Sequence, residues 1–118
     1  MSVVGIGGLF FRSKDPDARA AWYREHLGID AGQTTVWEQA AGSTVFAPFS
    51  DDADYFPADQ PFMLNLRVDD LSTLAERLEA AGITVGRVAD DSDGEYGLFA
   101  RIYDPEGLPI ELWQPPAE

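Results

Sequence analysis

Cysteine is absent from the 118 residues, histidine occurs once, and eight basic side chains face 21 acidic ones. Each shortage closes off some chemistry. Without cysteine there is no disulfide and no thiolate metal site, which fits a reducing compartment. His26 as the single imidazole leaves no convincing Ser-His-Asp arrangement. It falls near the end of a helical stretch, where a protonated ring suits the helix dipole at the surface. The net charge of −13 repels nucleic acid and anionic lipid, and either serves solubility or attracts a cationic ligand. No apolar run approaches a membrane span and no basic-then-apolar signal pattern opens the chain, so a cytoplasmic protein is expected. Gly5-Ile6-Gly7-Gly8 precedes a strand pattern rather than a helix, so it is no dinucleotide-binding loop.

What is present argues for a folded domain. The chain is 45% hydrophobic, with three Trp, seven Phe and four Tyr, enough for one domain over residues 1–118 with its own core. Residues 6–12 read as a short apolar strand. Asp15-Pro16 then opens a helix, Asp as N-cap and Pro at the first helical position. Its apolar positions run through Ala20, Trp22, Tyr23 and Leu27, and Gly28-Ile29 is a natural stop. A turn near Ala41-Gly42 and a strand over 43–49 complete a β-meander. Residues 51–61 carry four Asp and two Pro and read as an exposed connection.

The second half repeats this order. Residues 62–68 alternate, with Leu64, Leu66 and Val68 on one face and Met63, Asn65 and Arg67 on the other. Asp70 can cap a helix carrying Leu71, Leu74, Ala75 and Leu78 at helical spacing, and Gly82-Ile83 ends it. A strand at 85–88 and an acidic turn at 90–94 follow. Residues 98–103 and 108–113 form a closing hairpin. Asp104-Pro105-Glu106-Gly107 suits a type I turn between its strands. Ile110 and Leu112 then share one face, and Glu111 and Trp113 the other. A carboxylate on a half-buried strand requires a partner.

Arg12 stands three residues before Asp15, and Arg67 three before Asp70. A strand, a capped helix, a Gly-Ile stop and three short strands thus occur twice. The expected fold is α+β: two βαβββ modules, the first over about residues 1–56 and the second over about 60–118. A ferredoxin-like arrangement is the competing architecture.

The stretches FFRSKDPDARAAWYREHLGI, LRVDDLSTLAERLEAAGI and FARIYDPEGLPIELW together resemble the vicinal oxygen chelate superfamily. That superfamily groups glyoxalase I, extradiol dioxygenases, fosfomycin-resistance enzymes and bleomycin-resistance proteins. The resemblance covers essentially the whole chain and implies a curved mixed sheet around a cavity. It also implies that Trp22 and Tyr23 are an aromatic pair packed in the core.

In metal-dependent members, a Glu at the place of Glu111 ligates the ion. The other ligand positions fall at Gly8, Phe46 and Met63, which offer no side chain, no donor and a soft thioether respectively. Gln33, Glu38, Gln39 and Glu95 match no family position. The expectation is therefore no metal cofactor, Glu111 being the only candidate ligand.

Strand alternation places Phe10 and Arg12 beside Gly8, Asn65 and Arg67 beside Met63, and Trp113 beside Glu111. Phe99, Arg101 and Tyr103 share the same face. Arginine offers a planar fork for an anion, and aromatics beside it can sandwich a flat ligand. This suggests a small molecule such as an aromatic anion. Equally, Arg67 or Arg101 can simply neutralise Glu111 as an internal ion pair. Trp37, Phe46 and Phe49 are either core or pocket wall.

Three functional readings follow. The first is a metal-free small-molecule-binding protein, similar to the bleomycin-resistance branch; that likeness implies an acidic homodimer with its pocket at the subunit interface. The alternative is a glyoxalase-like lyase or isomerase, or a dioxygenase-related enzyme, with Glu111 as catalytic base or sole metal anchor. The third is an interaction module whose dimer is the function.

Overall fold

Both helices begin where an aspartate can cap them. The computed structural model describes residues 2–87 and 95–117; the expected acidic turn at 90–94 and Val88 of the expected strand lie outside them. α1 is Pro16–Leu27, and its Ala18 N–H donates to Asp15 Oδ1 at 3.2 Å. At its end Gly28 takes φ 68°, a left-handed conformation that glycine adopts without steric cost, and Ile29 N–H reaches back to the Tyr23 carbonyl. α2 is Leu71–Ala80, capped by Asp70, which accepts from both the backbone N–H and the hydroxyl of Thr73. These bonds, backbone first, hold the Asp70 carboxyl below the usual range. Ile83 N–H closes that helix on the Leu78 carbonyl.

The chain divides into two compact units, residues 1–37 and 38–118. In the first, Tyr23 is buried with Trp22 edge-on at 5.1 Å and Phe11 edge-on at 6.5 Å. Arg19, also buried, lies 4.7 Å from the Phe11 ring centroid and donates to the Arg12 carbonyl. His26 sits in the last turn beside Glu25 and Trp22, half-buried.

The second unit holds a four-stranded mixed sheet. Its strands are β1 (Leu64–Arg67), β2 (Gly86–Arg87), β3 (Leu98–Tyr103) and β4 (Pro109–Gln114), in spatial order β1-β4-β3-β2. β1 runs parallel to β4, and the other pairs are antiparallel. With α2 between β1 and β2, this is a βαβββ module. Alternation sorts its faces as expected: Ala100, Ile102, Ile110 and Leu112 are fully buried, and Leu71, Ala75 and Leu78 of α2 are buried with them. Burial of the Leu and Ile side chains stabilises by roughly 1.5–3 kcal/mol each, and of the alanine methyls by less. The Asp104 turn closes the hairpin: its carbonyl accepts from Gly107 N–H, and its buried carboxylate accepts from Glu106 and Leu108 N–H. Gln114 Oε1 accepts from Leu71 N–H and ties β4 to the start of α2.

The first half departs from expectation. Residues 6–12 and 43–49 form no strand, so of the first βαβββ module only the helix is present. A strand exists only as part of a hydrogen-bonded ladder, and glycines weaken it through backbone entropy and missing side chains. Gly7 and Gly8 stand in the first segment, with Gly5 just before it, and neither segment pairs with a strand among the described residues. Phe10 is accordingly 96% exposed and Phe46 85%, so Phe46 is not core. Among the described residues no helix is long and apolar enough to cross a membrane.

Candidate functional site on the sheet face opposite α2

The register builds one row of side chains across β1, β4 and β3, which ends at Gly86 on β2. Asn65 of β1 is level with Glu111 of β4, Glu111 with Arg101 of β3, and Arg101 with Gly86 of β2. Glu111 stands in the middle of this row and is 6% exposed. A carboxylate buried to that degree is stable only with strong hydrogen-bond donors. Asn65 supplies one: its Nδ2 donates to Glu111 Oε1 at 2.7 Å.

The second donor comes from the connection at 51–61. Tyr55 donates its hydroxyl hydrogen bond to Glu111 Oε2. Burial, then the bond to Glu111 and the negative charge of Glu111, push the Tyr55 phenol up from its ordinary 10.0 to about 12, against a lowering by Arg101. The phenol is therefore protonated at neutral pH and available as a donor.

The expected ion pair between Glu111 and an arginine is not formed among the described residues. Arg101 turns instead to Tyr55: its guanidinium lies 5.1 Å from the ring centroid, and its Nη2 donates to the Tyr55 carbonyl at 3.0 Å. Its Nε–H is buried without a hydrogen-bond partner among the described residues. Arg67 points to the 40–42 turn and donates to the carbonyls of Ala40 and Ala41 at 2.9 and 3.4 Å. Planarity explains both choices, since a guanidinium can fork across two carbonyls or cover a ring face.

Next to this row, Phe99 and Trp113 are cross-strand partners whose rings stack with centroids 6.3 Å apart and planes 10° from parallel. The Trp113 indole N–H is held by the Tyr96 carbonyl at 2.7 Å. An open cleft of about 540 Å³ lies between residues 51–58 and the β3 side chains Arg101 and Tyr103. A second cleft, about 450 Å³, is formed within 47–63 and includes Phe49, Phe56, Phe62 and Met63. Phe49, left open between core and pocket wall, thus lines a cleft. Of the expected site residues, Asn65, Arg67, Phe99, Arg101, Tyr103, Glu111 and Trp113 share one sheet, Arg67 with its head directed to the 40–42 turn. Phe10 and Arg12 belong to the other unit, in a segment without the strand alternation that was to orient them.

A catalytic metal needs several hard or borderline donors and open positions. Gly8 and Phe46 lie in segments without strand pairing and Met63 just precedes β1; none offers such a donor. Both oxygens of Glu111 are already engaged by Tyr55 and Asn65. This donor set does not fit a metal of the kind the superfamily uses.

Residues 8–113 match the family described as Glyoxalase-like domain. The chain belongs to that family. This glyoxalase-like domain is also similar to TnmS3, described as an antibiotic binding protein from Streptomyces sp. CB03234. The two share 24% identity, over 98% of this chain and 99% of that one, with a TM-score of 0.64. A second solved structure, described as a conserved domain protein, is 17% identical over 96% of this domain and 100% of its own chain, with a TM-score of 0.61. Among curated proteins none matches.

Sequence reasoning missed Tyr55. It lies in a stretch whose Asp and Pro content marks a solvated connection. The available signal was indirect: Glu111 required a donor, and a lone tyrosine among acidic residues is one.

Proposed function

We propose that this glyoxalase-like domain binds a small, flat organic molecule on the sheet face opposite α2 and uses no metal of its own. The observation that carries the reading is the engagement of Glu111, both of whose oxygens accept hydrogen bonds from Tyr55 and Asn65. The carboxylate is thereby set up as a fixed acceptor in a binding surface. The stacked Phe99–Trp113 pair supplies an apolar platform, and Arg101 borders the cleft. TnmS3, an antibiotic binding protein of similar fold, makes drug-like molecules a sensible first class of ligand.

The reading carries two finer elements. Residues 6–12 and 43–49 supply strands of the first βαβββ module, over about 1–56, in the assembled protein, and that protein is a cytoplasmic homodimer. Exposed Phe10, Val45 and Phe46 support strand pairing of these segments, and with Val3 and Val4 they support a dimer, since exposed apolar side chains gain stability once covered. The enzymatic alternative keeps Glu111 as base; it requires that Glu111 first release Tyr55 or Asn65.

The test combines elemental analysis of untagged protein with thermal melts. Zinc, nickel, manganese and ferrous ions are compared with a panel of flat aromatic compounds. A ligand present at about a hundred times its dissociation constant adds about 2.7 kcal/mol, a visible shift. The expected result is no bound metal, no shift with metals, and shifts with aromatic compounds. Stoichiometric metal, or a metal-induced shift abolished by Glu111→Ala, overturns the metal-free reading and favours the enzyme.

A further inference from the structure

Tyr55 is more than a partner for Glu111: every group that touches it is a group a ligand site would use. Its hydroxyl is taken by a buried carboxylate and its ring by a guanidinium, with the Phe49 ring tilted beside it at 6.0 Å between centroids. Its carbonyl is held by Arg101 Nη2. The segment that brings it there has no helix or strand, and its backbone bonds are local turns, Ala53 to Ser50 and Gln60 to Pro57. Tyr55 itself is 39% exposed. Its ties to β3 and β4 all run through the side chains of Arg101 and Glu111, and a connection without ladder bonds opens at lower free-energy cost than the sheet.

We propose that Tyr55 is an internal stand-in for the ligand, and that the molecule this site takes is a neutral hydroxyaryl compound which displaces the Tyr55 ring. The incoming hydroxyl donates to Glu111 Oε2 in place of the tyrosine, the aromatic ring lies against the Arg101 guanidinium, and Phe49 bounds its edge. This deepens the ligand-binding reading and rests on it. It also sets a charge rule. A hydroxyl complements the Glu111 carboxylate, whereas an arene carboxylate placed at the same point meets like charge. The ligand class is thus a phenol and not the aromatic anion that the arginines alone suggest. No covalent bond is made or broken in the exchange.

The probes are para-cresol, which is the tyrosine side chain itself, para-methylanisole, which lacks the donor, and para-toluate, which is anionic. Binding is measured by NMR titration to wild-type protein, Tyr55→Gly, and Tyr55→Gly combined with Glu111→Gln. In Tyr55→Gly, para-cresol is expected to bind at least about tenfold more tightly than to wild type and about tenfold more tightly than para-methylanisole. The preference shrinks when Glu111→Gln is added, because the acceptor loses its charge.

Equal binding of cresol and methylanisole, or a preference for toluate, overturns the hydroxyaryl assignment while leaving a small-molecule site. Absence of binding by all three to folded Tyr55→Gly, together with no shift in the aromatic panel, overturns the ligand-binding reading as well. If Tyr55→Gly does not fold, the measurement moves to wild-type protein with isotope-labelled tyrosine. Saturating para-cresol must then move the Tyr55 ring signals (assigned from the Tyr55→Phe spectrum) and para-methylanisole must not; unmoved signals overturn the proposal.

Discussion

Tyr55 and Glu111 are 56 residues apart in the chain and are joined by one hydrogen bond, from a phenol hydroxyl to a carboxylate oxygen in the middle of the sheet. Truncating the donor leaves a buried charged acceptor short of a partner. Hydrogen bonds to charged groups contribute roughly 1.5–3 kcal/mol, and partial exposure of the ring reduces this. Tyr55→Phe is therefore expected to lower unfolding stability by about 1–2 kcal/mol in urea titrations, with an unchanged m-value. A loss within about 0.3 kcal/mol sinks the contact as a stabilising one.

The same bond gives a pH dependence with a definite sign. The Tyr55 phenol is raised from 10.0 to about 12 on folding, so the folded state holds this proton more tightly than the unfolded state. Its contribution is fully present below pH 10.0 and is lost as pH climbs through about 12. The difference between the ultraviolet tyrosinate titrations of wild type and Tyr55→Phe should show a transition centred near 12. A difference curve centred at 10.0 shows the phenol to be free in solution.

Two glycines should respond unequally to an added methyl group. Gly97 has φ +106°, and a Cβ there runs into the Gln114 carbonyl oxygen, which is backbone and cannot step aside. Strain and clash together should cost at least about 2 kcal/mol for Gly97→Ala. A Cβ at Gly42 instead meets the guanidinium of Arg67, the far end of a flexible side chain. Arg67 can swing away, losing its bonds to Ala40 and Ala41, so Gly42→Ala should cost about 1 kcal/mol or less. Chemical denaturation of the two variants ranks them; the reverse order overturns the packing described for the β3–β4 hairpin.

How far this molecule was legible from its sequence follows from which of its interactions are local. Caps and stops were readable, because Asp15, Asp70 and Gly28 act on residues within a turn of themselves. The faces of β3 and β4 were readable where one side packs on α2, at Ala100, Ile102, Ile110 and Leu112, but not at the strand end, where Leu98 of the same face is 52% exposed. The partner of Glu111 was not. Cross-strand register brings Arg101 level with Glu111, and a charge argument then favours an ion pair. What decides the matter is a tyrosine delivered by an irregular segment, and irregular segments have no periodicity to read. That 6–12 and 43–49 stay outside the sheet was hidden for a related reason. Their composition suits strands, but strand formation depends on a neighbour that composition does not reveal.

Glu111 has two donors, Tyr55 and Asn65, and their losses should not simply add. Removing either Tyr55 or Asn65 leaves the carboxylate one protein partner, and water can reach part of the vacated space. Removing both leaves a 6% exposed charge with no side-chain donor among the described residues. The second loss should then exceed the first, because the desolvation of the carboxylate is no longer offset. In a cycle of Tyr55→Phe and Asn65→Ala, the double variant should fall below the sum of the singles by about 0.5–3 kcal/mol. Repeating the cycle with Glu111→Gln discriminates the cause. A neutral amide is cheaper to leave unpaired than a carboxylate, so the coupling should shrink there. Additivity within about 0.3–0.5 kcal/mol in the Glu111 background indicates that the two donors act independently, and that the carboxylate is better hydrated than its position in the row implies.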